Sequence, residues 1–158
     1  MNEEYLFRGK AINRYPNRTY RTDYENGDWV YGLITDTENY QGFAEMTNTD
    51  GISGIDVDKN TIGRCTGLRD KNGKLIFKDD VLKGFSYPFL SDEEHNYYAI
   101  VVWFEDSAAF GIYTIKNPES KVRGVSSGNT EYMSEWDSNN WEIIGNIHDN
   151  PELTEVEK

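Results

Sequence analysis

Apolar and polar residues alternate over short stretches of this chain, which is the pattern of β-strands with one buried face. Two such stretches, Phe7–Ile12 and Trp29–Thr35, are predicted to pair as a hairpin, with the turn signal Glu25-Asn26-Gly27-Asp28 just before the second strand. A third strand is predicted at Tyr40–Ala44. The segment Thr47–Gly54 is rich in Thr, Asn, Asp and Gly and is predicted to be a surface loop.

The predicted strands become denser after Ile62. The clearest pair is Ala99–Glu105 with Ala108–Ile115, joined by a turn at Glu105-Asp106-Ser107. The first strand of this pair is apolar on both alternating faces, which predicts a central strand that is covered on both sides. The other strands predicted in this half are Ile62–Gly67, Leu75–Phe77, Asp80–Phe85 and Trp141–Ile147.

Local turn and capping signals complete the prediction. Asp70-Lys71-Asn72-Gly73 lies between apolar segments, and Asn and Gly tolerate the positive φ that tight β connections require. Asn150-Pro151-Glu152 supplies an N-cap, a first-turn proline and an acid, which predicts a short C-terminal helix.

These elements predict a mainly β protein. Residues 1–61 are expected to form an N-terminal β-hairpin extension with a long loop at 13–28. Residues 62–158 are expected to form a small SH3-like β-barrel with an acidic C-terminal segment, because five short strands within about 85 residues suit a strongly bent barrel. No helical periodicity or internal repeat interrupts this pattern.

The charge of the chain is strongly negative and unevenly distributed. The formal net charge is −12, which argues against non-specific binding to nucleic acid or anionic membranes by the whole molecule. Five bases and no acid fall between Arg8 and Arg21, whereas eight acids and only Lys158 follow from Glu131 onwards. We interpret both runs as solvated surface.

The expected compartment is the cytosol, of a bacterium or of a host cell. No apolar run approaches the roughly 20 residues of a membrane-spanning helix, and the first residues lack the basic and apolar regions of a signal peptide. The single cysteine, Cys65, excludes an internal disulfide framework and is predicted to be a small buried hydrophobic residue.

Three stretches of the sequence carry a family resemblance. They are Ile62–Val81, Trp141–Leu153, and the opening Phe7–Lys10 followed by Asp28–Gly32. Their order and sequence resemble the YopX family of phage and prophage proteins. The resemblance implies an SH3-like barrel with an N-terminal extension in a phage-encoded or prophage-encoded cytosolic protein, and it brings no catalytic residues with it.

The chain departs from the family pattern at several positions. Asp79 stands where the pattern usually has a glycine, so a different turn before Val81 is expected. Cys65 and His148 stand where aromatic residues are common, which argues against either being a shared catalytic group. The first hairpin is longer here, with Tyr15–Arg21 lying in an insertion.

One pattern suggests a hydrolase. Gly124–Gly128 reads Gly-Val-Ser-Ser-Gly, and Ser126, Asp137 and His148 follow the chain order of a hydrolase triad. A nucleophile elbow, however, needs a strand before the turn and a helix after it within a parallel α/β sheet. The flanking residues predict neither, so we expect a glycine-rich loop and no enzyme.

Metal and cofactor sites are also not expected. Asp56–Asn60 begins like a calcium loop, but Thr61 replaces the turn glycine and Gly67 replaces the bidentate glutamate, so turn polarity is the preferred interpretation. His95 and His148 lie far apart in the sequence, and one cysteine cannot complete a zinc set. No phosphate-binding glycine loop occurs.

Two loops are candidate contact sites. One alternates arginine and tyrosine, which suits base stacking, protein contact or a solubilising tip. The other is aromatic and serves either to bind a partner or to cap the end of the barrel. The candidate residues are Arg14, Tyr15, Arg18, Tyr20, Arg21, Phe85, Tyr87 and Phe89.

The leading hypothesis is therefore a non-enzymatic accessory protein that contacts other proteins of the host or phage and self-associates. The basic run near the N-terminus and the acidic C-terminal segment could meet between two copies. An alternative is an acidic mimic of nucleic acid that inhibits a host DNA-acting enzyme. A further alternative is weak nucleic-acid binding through the loop at 14–21.

Overall fold

The structure is a computed structural model, and it describes residues 6–13, 24–85, 96–116, 130–133 and 140–154. These residues form a mainly β protein, as the sequence predicts. The strands are β1 (Phe7–Ala11), β2 (Trp29–Asp36), β3 (Ala44–Asn48), β4 (Ile55–Arg69), β5 (Leu75–Phe77), β6 (Asp80–Phe85), β7 (Asn96–Phe104), β8 (Ala109–Lys116), β9 (Thr130–Tyr132) and β10 (Glu142–Asn146).

The chain divides into two compact units, residues 1–65 and 66–158, and β4 runs from the first into the second. In the first unit, β1 pairs with β2, β2 with β3, and β3 with β4, while β4 also pairs with β1, all antiparallel. The predicted first hairpin is confirmed: Phe7 lies opposite Gly32, and Lys10 lies opposite Trp29.

Alternation along these strands builds the core of the first unit. Val30 is fully buried between Trp29 and Tyr31, which point to the other side of β2. Gly9 brings the backbone of β1 close to the core, because a Cβ placed there would lie 3.3 Å from side-chain atoms of Met46 and Val57. The buried core cluster is Ala11, Val30, Ala44, Met46, Ile55 and Val57.

Two local predictions in this unit are wrong. The segment Tyr40–Ala44 is not a strand, because it forms a turn from which β3 starts at Ala44. Asp56–Asn60, interpreted above as a polar turn, lies inside β4, where Ile55 and Val57 are buried and their polar neighbours face outwards. The strand predicted at Ile62–Gly67 is therefore only the later part of a strand of 15 residues.

One turn geometry recurs in three successive connections. In the β4–β5 turn, Asp70 Oδ1 accepts the amide hydrogens of Asn72 and Lys74, both at 2.9 Å, and Gly73 has φ of +82°. The Gly73 amide donates to the Asp70 carbonyl oxygen at 2.9 Å. The same bonds and the same positive φ occur at Asn39 with Gly42 and at Asn48 with Gly51. A type I turn followed by a left-handed glycine explains why Tyr40–Ala44 leaves the strand conformation.

The second unit contains an antiparallel sheet with the strand order β10-β6-β7-β8-β9. The predicted pairing of its two longest strands is confirmed, with Val101 opposite Ile112, and β7 is central as predicted. Ala99 and Val101 are fully buried, whereas Ile100 and Val102 on the other face are only half-buried. The prediction that this strand is covered on both sides is therefore right for one face only.

The core of this unit consists of Ile76, Leu82, Ala99, Val101, Ile112 and Trp141. The edge strand β9 was not predicted, because three residues are too few to show a period. Pro151–Thr154 form a single 3-10 turn, so the predicted C-terminal helix is not confirmed. In the described part of the chain, no helix is long and apolar enough to cross a membrane.

Candidate functional site

The structure does not describe the side chains of the predicted contact residues. Phe85 is the last residue of β6, and its side chain is not described. The others fall outside the described residues, namely Arg14, Tyr15, Arg18, Tyr20, Arg21, Tyr87 and Phe89. All eight stay predictions.

The first candidate site that the structure does describe is the outer side of β2 and its neighbours. We call it the β2 face and define it as Arg8, Lys10, Trp29, Tyr31, Leu33, Glu45 and Thr47. Tyr31 and Leu33 alternate with buried residues and expose 39% and 42% of their surface, respectively. A contiguous apolar patch on the solvent side of a sheet marks a candidate contact surface, whereas single exposed apolar residues do not.

One end of the β2 face is basic and aromatic. The guanidinium carbon of Arg8 lies 4.6 Å from the centre of the Trp29 ring, and Nζ of Lys10 lies 5.3 Å from it. Both distances fit cation–π attraction. Arg8 exposes only 6% of its surface, so our interpretation of the basic run as solvated surface is wrong for this residue.

The opposite end of the β2 face is acidic. Glu45 in β3 lies between two buried residues, Ala44 and Met46, so its side chain points to the outer side. Its backbone carbonyl accepts the hydroxyl of Thr35 from the end of β2 at 3.2 Å. Directly across the β3–β4 pairing from Glu45 is Asp56, and carboxylates placed opposite each other repel.

A second candidate site lies in the second unit, at the turn between β5 and β6. Asp79 Oδ2 lies 2.9 Å from Nε2 of His148, and Asp79 Oδ1 lies 3.2 Å from Nζ of Lys78. The Asp79 carboxylate is largely buried, and its backbone amide donates to the carbonyl oxygen of Val101 at 2.9 Å. The Asp79 carbonyl oxygen accepts the amide of Ile147 at 3.0 Å.

The segment that carries His148 is held by its own polar side chains. Asn146 Oδ1 accepts the amides of His148 and Asp149, at 3.0 and 2.9 Å. Gly145 is required next to this turn, because a Cβ there would lie 2.9 Å from Cγ of Asn150. These contacts hold the backbone around His148, and its Nε2 faces the carboxylate of Asp79.

This arrangement bears on the triad pattern considered above. Ser126 and Asp137 lie outside the described residues. Among the residues that the structure does describe, the acid at His148 is Asp79, which sequence order did not suggest. The ammonium group of Lys78 also contacts this carboxylate, so Asp79 has two side-chain partners and joins two turns.

Asp70 makes the corresponding connection at β10. Its Oδ2 accepts the amide of Ile143 at 3.1 Å, while the Lys71 amide donates to the carbonyl oxygen of Trp141 at 2.9 Å. The two longest stretches that carry the family resemblance, Ile62–Val81 and Trp141–Leu153, are therefore joined at two places. Their characteristic residues build contacts between distant parts of the chain.

Cys65 is buried, with 2% of its surface exposed, as predicted. Within the described ranges, no group of three or more His, Cys, Asp or Glu side chains is arranged to hold a metal ion.

These features define a class: a mainly β protein in which two signature stretches, far apart in sequence, meet through Asp70 and Asp79. A family model described as YopX protein matches residues 14–155. The chain belongs to the YopX family. No curated protein matches it.

The β2 face could not be found from the sequence. Along β2, two largely apolar sets of residues alternate, namely Trp29, Tyr31 and Leu33 with Val30, Gly32 and Ile34. The pattern therefore does not say which set faces the core. The recurring turns, by contrast, left a signal: an Asn or Asp followed three residues later by Gly, at 39, 48 and 70.

Proposed function

We propose that this protein is a non-enzymatic accessory protein of a phage or prophage, that it acts in the bacterial cytoplasm through protein–protein contact, and that it self-associates. The observation that carries the proposal is the β2 face, on which Tyr31 and Leu33 are exposed between a basic end and an acidic end. An apolar centre with a charged rim is typical of protein interfaces.

Light scattering coupled to size exclusion tests self-association. At low salt and micromolar concentration, we expect a mass of at least twice the 18.3 kDa of one chain. High salt should reduce that mass, because screening weakens the contacts between charged groups. A single-chain mass under both conditions contradicts the proposal.

We also propose that residues 62–158 adopt an SH3-like barrel, with the segment after Pro151 as a short helix. The antiparallel order of β6, β7 and β8 and the short strands on either side support it. A solution NMR structure tests it. Backbone contacts that close the sheet and a helical segment after Pro151 are expected, whereas an open sheet argues against a barrel.

The net charge of −12 favours a second candidate function, mimicry of nucleic acid towards a host DNA-acting enzyme. Affinity capture from host lysate, followed by mass spectrometry, should then enrich a restriction, repair or transcription protein. Reversing several surface acids should abolish that enrichment, and enrichment that survives the reversal contradicts mimicry.

Binding of nucleic acid through the loop at 14–21 is the weaker alternative, supported by its alternating Arg and Tyr residues. Fluorescence anisotropy with short single strands at low salt tests it. A salt-sensitive signal that disappears on replacing Arg18 and Arg21 supports it, and the absence of any signal excludes it.

A further inference from the structure

The charges on the β2 face are arranged along the direction of β2. The basic residue Lys10 lies opposite Trp29, at the start of the strand, and opposite Asp58 of β4 on its other side. The acidic residue Glu45 lies beside Thr35, near its end. Thr35 follows Trp29 by six steps along the extended strand, which is about 20 Å at 3.3 Å per step. Tyr31 and Leu33 lie between these two ends.

Such an arrangement is complementary to itself when one copy is turned by 180°. In a two-fold interface, a contact of residue i with residue j is repeated as j with i. Two β2 faces that meet in opposite directions bring the basic end of each copy onto the acidic end of the other. The apolar centres then pack across the two-fold axis.

We propose that the β2 face is a two-fold self-association surface, in which Lys10 of each copy meets Glu45 of the other and Tyr31 and Leu33 pack at the centre. The proposal rests on the self-association proposed above and names its surface. A cation from a second copy would also relieve the repulsion between Glu45 and Asp56 within each copy. In the part of the chain that the structure describes, the Glu45 carboxylate has no hydrogen-bond or ion-pair partner of its own.

The apolar centre is tested by Leu33→Lys, measured by sedimentation velocity across a concentration series. Burying an ammonium group at the axis should weaken association at least tenfold. Tyr40→Lys is the matched control, because Tyr40 exposes 95% of its surface in the turn after β2 and lies outside the proposed contact. The control should leave the association constant within about twofold of the wild type.

The charge arrangement is tested by a swap. Lys10→Glu and Glu45→Lys should each weaken self-association at least tenfold, because each places like charges at both symmetry-related contacts. An equimolar mixture of the two variants should form a heterodimer, since both contacts then pair opposite charges. Native mass spectrometry with one variant labelled with ¹⁵N distinguishes the heterodimer from either homodimer.

The fold of each variant is checked by circular dichroism and thermal unfolding, because Lys10 also lies opposite Asp58 of β4. If Lys10→Glu unfolds, the neutral pair Lys10→Gln and Glu45→Gln replaces the swap. Each neutral variant should reduce the salt dependence of the association constant at least twofold, and an unchanged salt dependence overturns the pairing.

The outcomes separate the two proposals. A monomeric wild-type protein contradicts both self-association and this surface. A wild-type oligomer that Leu33→Lys leaves intact overturns the β2 face while self-association stands. An oligomer that Leu33→Lys dissolves, but whose charge variants form no heterodimer, overturns the pairing of Lys10 with Glu45.

Discussion

The carboxylate of Asp79 lies 2.9 Å from Nε2 of His148, although 69 positions separate the two residues in the chain. Asp79 has φ of +74°, a backbone conformation that glycine adopts without strain and other residues disfavour. The aspartate therefore accepts a conformational cost, and its side chain gains the contact with His148.

This relationship predicts that the two positions are energetically coupled. In a His148→Phe background, Asp79→Gly should stabilise the protein by about 1 kcal/mol. It removes the strain of the left-handed backbone conformation, and the contact with His148 is already absent. In the wild-type background, the same substitution should be close to neutral, since relief of strain offsets the lost contacts to His148 and Lys78. Urea unfolding of all four proteins measures the coupling.

Lys78→Met serves as the control for that cycle, because it removes the other basic partner of Asp79 and leaves the imidazole in place. Additive effects of Asp79→Gly and His148→Phe, within about 0.3 kcal/mol, would falsify the coupling.

Asp70→Ala should destabilise the second unit by about 3 kcal/mol, because the buried carboxylate accepts three backbone amides, from Asn72, Lys74 and Ile143. Asp70→Asn should cost less, because it keeps one carbonyl oxygen for the turn. The measurement is the free energy of unfolding in urea.

Asp50→Ala is the matched control for Asp70, since Asp50 lies in the related β3–β4 turn and is exposed. Its effect should stay within about 0.5 kcal/mol. An equal loss for the exposed and the buried aspartate contradicts the role assigned to Asp70.

The recurring turns predict a specific cost for replacing their glycines. Gly51→Ala and Gly73→Ala should each cost about 1 to 2 kcal/mol, because both residues have positive φ and no atom lies within 4 Å of an added Cβ. Asparagine tolerates this conformation better, so Gly51→Asn and Gly73→Asn should cost less. Unfolding experiments that rank Asn and Ala equally contradict a backbone origin of the cost.

The ion pair of Lys59 and Glu38 predicts a pH effect in the first unit. The hydrogen bond from Lys59, with Nζ 2.6 Å from Oε1 of Glu38, and then its charge lower the pKa of Glu38 below the ordinary 4.5. Because the pKa is lower in the folded protein, the stabilisation is present above the ordinary value and is lost as pH falls through the lowered one.

An NMR titration of the Glu38 carboxyl carbon measures this pKa. Lys59→Met should raise the pKa of Glu38 towards 4.5, high salt should do the same, and Lys59→Arg should leave it lowered. A pKa of Glu38 that does not respond to Lys59→Met rules out the assigned cause.

Much of the local structure could be predicted, because it depends on neighbouring residues. The β5 and β6 bounds, the first hairpin and the β7–β8 pair follow from alternation between turn signals. The two errors are opposite: Tyr40–Ala44 was predicted as a strand and is a turn, and Asp56–Asn60 was predicted as a turn and is strand. Composition alone did not separate a turn from a polar strand in either segment. At the first place, the Asn39 side chain accepts the amide hydrogens of the turn. At the second, pairing of Asp56 with β3 and of Asp58 with β1 places the segment in β4.

The sequence by itself determined that the protein is mainly β, that it belongs to a recognisable family, and which residues bear opposite charges. Only the tertiary structure decided which of these residues meet. Strand register, and which side of each sheet faces a core, decide three observations. They are the burial of Arg8 beside Trp29, the exposure of Tyr31 and Leu33, and the contact of Asp79 with His148. A shift of one residue in register exchanges the two sides of a strand, and the local pattern hardly changes when both sides are apolar.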